Sequence, residues 1–390
     1  MRRPTTTAAL ALVAAGVLVA GAVPASAAGS APNAFGHHDI GSLRGLASVQ
    51  RALAAPAIGS SPTTSTPVTL AEHLAGPLNF AVGGPVGALY VGQAFSGQLS
   101  VIPPGGPATD LVPPAPGVDI EAVNTLDGTV TWGESTRLPN RDPLTSILKA
   151  RAPSGNVRQV ADLLAYEVKH NPDGKVRYGF QDLSKACLAK VPELKPYTGV
   201  VDSHVYGSMK GKYGTYVADA GGNDILKVDY RGRVSTVAVL PPTPVKITAQ
   251  AAALNHLDPC VVGHTFNFES VPTDVEIAPD GKLYVSSLPG GPEDGSTGPN
   301  GSVYRVNPTT GAVNLVATGF AGATNVAIGP NGTIFVAELF GNRISSISKT
   351  GVVTPVIDLP SPAGVEYSRG HVYVSTNVFG DASIVSFTVS

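Results

Sequence analysis

The chain has 390 residues, 26 basic against 28 acidic, for a net charge of −2. No basic stripe runs through it, which argues against nucleic-acid binding and against polybasic docking on a membrane. Its 45 glycines and 34 prolines suit many tight turns and few helices; two cysteines with no Cys-x-x-Cys do not make a thiolate zinc site.

Met1-Arg2-Arg3 is a basic start, Ala8 to Val23 is apolar, and Ala25-Ser26-Ala27 is a small-residue cleavage site. Residues 1–27 are therefore expected to be a secretory signal peptide; as a membrane span the apolar run is shorter than the ~20 residues required. Residues 28–66, rich in Ala, Ser, Thr and Pro, are expected to form a flexible leader. The domain proper is placed at 67–390, with an extracellular location.

Within it one pattern recurs: a turn, a short apolar strand with an aromatic near its end, then a polar loop. The clearest copies are DGKLYVSS (280–287) and NGTIFVAE (331–338); weaker ones lie at 86–93, 127–134, 213–220 and 369–376. Aligned on Tyr90, Thr131, Tyr216, Tyr284, Phe335 and Tyr373, the steps are 41, 85, 68, 51 and 38 residues. The shorter steps match four-stranded propeller blades. The expected fold is all-β: a six-bladed β-propeller of four-stranded antiparallel blades at 74–113, 120–163, 200–242, 271–320, 321–361 and 362–390. In the second blade Trp132 is displaced one place from the aromatic position. The last blade ends after three strands, so Val68 to His73 is expected to supply its fourth strand and close the ring.

Two insertions near 164–199 and 243–270 interrupt the period. Both lie between the last strand of one blade and the first of the next, so they share a face with the second-to-third-strand loops. They are expected to be lid loops over this top face. Each carries a cysteine. In an exported chain Cys187 and Cys260, 73 residues apart, are expected to form one disulfide, with two separate thiols as the alternative.

Aligning the blades places Asn79, Glu121, Asp274 and Asn325 at the starts of innermost strands, where propellers open their central channel. Such oxygen donors suit a hard divalent cation such as Ca²⁺; the competing reading is that they cap strand ends and line a polar channel. Neighbouring loops add His204, Glu269, Glu276, Glu134, Asp219 and Glu338 as candidates for ligand binding. Asp219-Ala-Gly-Gly-Asn223-Asp224 and Glu338-Leu-Phe-Gly-Asn342-Arg343 occupy the same loop in two blades, where side chains bonding their own backbone are the favoured reading. GxSxG, HExxH, Walker and Rossmann motifs are absent from the sequence.

The stretches TYVADAGGNDILKVDYRGRVSTVAVLPP (215–242) and FESVPTDVEIAPDGKLYVSSLPGGPEDGS (268–296), with the Cys260 insertion between them, resemble the exported ScyD/ScyE family. That family belongs to the wider NHL and SMP-30/gluconolactonase class of six-bladed propellers. The resemblance covers roughly residues 67–390 and implies an exported propeller with no firmly assigned reaction. In SMP-30-type lactonases a Glu, two Asn and an Asp hold a divalent ion; Glu121, Asn79, Asn325 and Asp274 could take those parts. Gly92-Gln93 stands where such first blades often end in Ala-Glu. The expectation is a monomeric binding or scaffold module for a small molecule or an envelope protein, with a metal-dependent lactonase as the alternative.

Overall fold

The computed structural model describes residues 61–390, except 85, 139 and 141. The expected signal peptide and most of the expected leader lie outside the described residues. Among the described residues there are seven four-stranded antiparallel sheets, and the fold is a β-propeller in which the innermost strands of six of them adjoin in a ring. The innermost strands of those six are Asn79–Gly83, Val118–Leu126, Val205–Gly211, Pro272–Ile277, Ala323–Ile328 and Val365–Ser368. Each packs against the next, and the sixth returns to the first, closing a ring.

The fifth blade shows how sequence dictates a sheet. Ala323–Ile328 turns at Asn331 (φ 58°) into Ile334–Glu338, followed by Arg343–Ile347 and Val353–Asp358. Asparagine tolerates the left-handed region that a tight turn demands. The strands alternate faces, so Val336 and Ile344 are buried between blades. One place after each aligned aromatic, Val91, Val217, Val285, Val336 and Val374 are wholly inaccessible to solvent. Trp132 takes that position in the second blade, which is why its aromatic is displaced.

Ring closure follows the expectation. Val68–Leu74 pairs antiparallel with Ala382–Phe387, with Val68 opposite Ser386 and Leu74 opposite Ala382. The contact begins earlier than expected, because Thr64 bridges Val389 and Ser65 N–H donates to Thr388 O.

The insertions differ from two separate lid loops. Arg177–Phe180 and Tyr197–Thr198 from the first join Thr243–Lys246 and Thr265–Phe268 from the second in one seventh sheet. The reason is a shared apolar face. Phe180, Leu194, Val245, Ile247, Phe266 and Phe268 form a core separate from the blades. The Cys187–Cys260 disulfide, with Cα atoms 5.8 Å apart, joins the two insertions inside it. Helix α1 (Leu163–His170) leads into the first insertion. Asp162 caps it by accepting from Ala165 N–H at 2.9 Å, and it turns Leu163 and Glu167 inward. Among the described residues no helix is long and apolar enough to cross a membrane.

Candidate functional site

Asn79, Glu121, Asp274 and Asn325 do share one register position, opposite Gly92, Gly133, Ser286 and Ala337 on their second strands. Three of them act as latches between blades. Val123 N–H donates to Asn79 Oδ1 at 2.5 Å, Val326 N–H to Asp274 Oδ2 at 3.1 Å and Val365 N–H to Asn325 Oδ1 at 2.9 Å. Every donor belongs to the innermost strand of the following blade. A buried amide N–H without a partner is costly, so these side chains complete the ring.

That arrangement does not fit the divalent ion of SMP-30-type lactonases. Asn79 and Asn325 commit their single side-chain oxygen to the next blade's backbone, Asp274 commits one of its two, and Glu121 is turned to His204.

Glu121 departs from the latch. Its Oε2 lies 2.8 Å from His204 Nε2, and both side chains are buried. Burial raises the Glu121 carboxyl, with the His204 charge acting against it; burial alone would lower His204, but the Glu121 carboxylate lifts it above the usual imidazole range. At this separation the pair keeps a proton, and the charged imidazole is the form the contact favours. The Tyr206 ring stands edge-on to His204 at 5.8 Å between centroids, and His204 Nδ1 is buried with no hydrogen-bond partner.

Glu276 and Glu366 hold the same register position two blades apart, each opposite a tyrosine of the second strand. Burial first, then the Glu366 and Asp274 charges, push Glu276 well above the carboxylate range; burial and Asp274 do the same to Glu366. Burial carries Asp274 up to about 7.

In three blades the last residue of the second strand anchors the loop entering its own blade. Gln93 Oε1 accepts from Ala75 N–H at 2.8 Å, Asp219 Oδ1 from His204 N–H at 2.7 Å and Glu338 Oε2 from Ala321 N–H at 2.9 Å. Glu338 is further paired with Arg343 at 2.7 Å and accepts from Ser345 Oγ, all within one blade. Glu134 is held by Trp132 Nε1 at 2.9 Å and Lys149 Nζ at 2.6 Å. The oxygens of Glu134 and Glu338 are therefore engaged within their own blades.

Asp219 and Glu269 belong to a different constellation, under the seventh sheet. Glu167 of α1, Asp173 and Asp224 complete it, and all five carboxyl groups are buried. Asn223 Nδ2 bridges Asp173 (2.9 Å) and Glu269 (3.4 Å), and Tyr178 Oη donates to Asp173 at 3.1 Å. Burial followed by the charges of Asp219, Asp173 and Asp202 raises Glu167 to about 9. Burial raises Glu269 to about 7 and Asp173 to about 6. Glu167 and Asp173 escape a sequence reading that aligns blades, because they sit in an insertion; Asp224 is visible in its loop but reads there as a turn residue.

The mouth of the channel is apolar. Phe95, Phe340, Phe379 and Tyr206, all partly buried, pack over Leu78, Ala94, Leu339, Ala363 and Val378. Beside it the Leu288–Asn300 loop meets Phe268 of the seventh sheet and Phe340 around a cleft of about 60 Å³. Glu293 lines that cleft, and burial pushes its carboxyl up to about 7.

No family model matches the chain, and no curated protein matches it either. Solved structures of similar fold include a streptogramin B lyase (13% identity, 85% of this chain and 100% of that one, TM-score 0.47). They also include virginiamycin B lyase from Staphylococcus aureus (15%, 80% and 82%, TM-score 0.45). A third is a putative gluconolactonase (12%, 70% and 88%, TM-score 0.38). The likeness concerns the propeller fold alone.

Proposed function

We propose that this chain is an exported, ScyD/ScyE-like propeller that works as a binding module through its top face. The observation that carries this reading is the seventh sheet. Both insertions meet there in one disulfide-linked, independently packed platform beside the Phe95, Phe340, Phe379 and Tyr206 mouth. A preformed surface loses little conformational entropy on capture, which favours binding. Apolar rings with one carboxyl, Glu293, at their edge suit a small partly aromatic ligand or an apolar peptide segment.

Hydrolysis is the second reading, favoured by the Glu121–His204 contact, in which a carboxylate holds a protonated imidazole in the form a general acid needs. One experiment separates the two. The protein is screened by thermal shift against aromatic metabolites and short apolar peptides, and in parallel for turnover of a lactone panel. Binding predicts a ligand that raises the melting temperature, an effect weakened by Phe340→Ala, with no turnover. Turnover lost in both Glu121→Gln and His204→Gln would replace the binding reading by the hydrolytic one.

A further inference from the structure

Two loops of this chain are built on the same plan and differ in one charge. In the fifth blade Glu338 lies opposite Arg343, with Asn342 left-handed (φ 52°) between them. In the third blade Asp219 lies opposite Asp224, with Asn223 left-handed (φ 54°). Where the fifth blade answers its buried acid with a guanidinium at 2.7 Å, the third presents a second acid. Both Asp224 oxygens are buried without a hydrogen-bond partner, as is Glu167 Oε1. The nearby Arg137 is turned to Asp202, in contacts of 3.0 and 3.2 Å.

Asp224 and Glu167 approach one point beside Asp219, whose Oδ1 accepts from His204 and Gly222 N–H and whose Oδ2 accepts from Ser203 Oγ. A Cβ built on Gly222 would stand 3.3 Å from Asp224 Oδ1, 3.5 Å from Glu167 Oε2 and 3.5 Å from Asp219 Cγ. Asp173 and Glu269 add charge behind them, linked through Asn223. Buried carboxylates without a counter-charge are strongly disfavoured.

We propose that Asp219, Asp224 and Glu167 form a site for a hard divalent cation, Ca²⁺, in front of Gly222, taking the place that Arg343 fills in the fifth blade. Oxygen donors and full burial suit calcium, whose bonds to oxygen run ~2.3–2.6 Å. As they stand, the three do not share one coordination sphere. A cation there would supply the counter-charge that Arg343 supplies in the fifth blade. The site would tie α1, the third blade and the seventh sheet to one another.

The test uses the full exported chain, stripped with EDTA and titrated with CaCl₂ at neutral pH. It is followed by thermal melting and by Tb³⁺ luminescence sensitised through Tyr178 and Tyr197. Calcium is expected to raise the melting temperature by several degrees and to displace Tb³⁺. Asp224→Asn and Glu167→Gln should each weaken binding at least tenfold, whereas Asp274→Asn at the channel should leave it unchanged. Asp224→Arg restores the fifth-blade pairing and should stabilise the protein without calcium while abolishing the calcium response. Melting indifferent to Ca²⁺, with Asp224→Asn more stable than the parent, would show that protons neutralise the corner and overturn the proposal. Tb³⁺ binding that survives both acid substitutions would overturn it equally.

Discussion

Asp274 shows how much a single carboxyl can be asked to do in a closed ring. It is buried, it accepts Val326 N–H from the next blade, and its two register equivalents with the same role, Asn79 and Asn325, are amides. Only the acceptor oxygen matters to the latch. Asp274→Asn should therefore fold as well as the parent. Asp274→Ala, which leaves a buried N–H unpaired, should cost about 1–3 kcal/mol in chemical denaturation. The pH dependence has a definite sign. Folded Asp274 and Glu293 hold their protons up to about 7, while the unfolded chain releases them near ~4. The folded state binds more protons across that window, so stability should fall as pH rises from ~4 to ~7. Asp274→Asn should flatten the slope; a stability that rises over the same range would contradict the assignment. The position of Asp274 was legible from blade alignment because register is periodic. Its partner was not, since Val326 lies 52 residues on and donates through its backbone, which no side-chain pattern reports.

At the scale of elements, the seventh sheet is the part sequence reasoning resolved least. The insertions carry little of the blade repeat, and their pairing joins Gly179 to Asn267 and Phe180 to Phe266 across the whole third blade. Alternation is visible locally in Thr265–Phe268, where Phe266 and Phe268 are buried and Thr265 and Asn267 are not. Nothing in that four-residue strand names its partner. The cysteines were the one long-range signal, because an exported compartment makes pairing the default. Reduction, or Cys187→Ser, should lower stability by about 2–4 kcal/mol, the chain-entropy value for a loop of 73 residues being an upper figure of ~4.4 kcal/mol. The loss should appear first as increased proteolysis between residues 177 and 198. Equal melting with and without reductant would remove the disulfide from any stabilising role.

For the whole molecule the decisive contact is between its two ends. Val68–Leu74 supplies the outer strand of the sheet begun by Val365–Ser368. Removing it leaves Ala382–Phe387 as an open edge, which favours aggregation. Deletion through residue 74 should abolish cooperative melting or produce oligomers on gel filtration. Deletion through residue 60 should leave melting unchanged, since the first contacts to the C-terminal strand come from Thr63 and Ser65. A chain lacking residues 1–74 that melts like the parent would show that the ring does not need its closure.

What the sequence determined by itself was the periodic part of the protein: the strand repeats, their turns, the residues at four innermost strand starts and the closure by an N-terminal strand. Alternation and turn chemistry are local, so they can be read from neighbours along the chain. The tertiary structure alone decided which oxygens were already engaged, which acids met without a counter-charge and that two insertions would become one sheet. Those outcomes depend on burial and on hydrogen bonds between segments distant in sequence, where a partner's distance and solvent exclusion, rather than its residue type, set the energy.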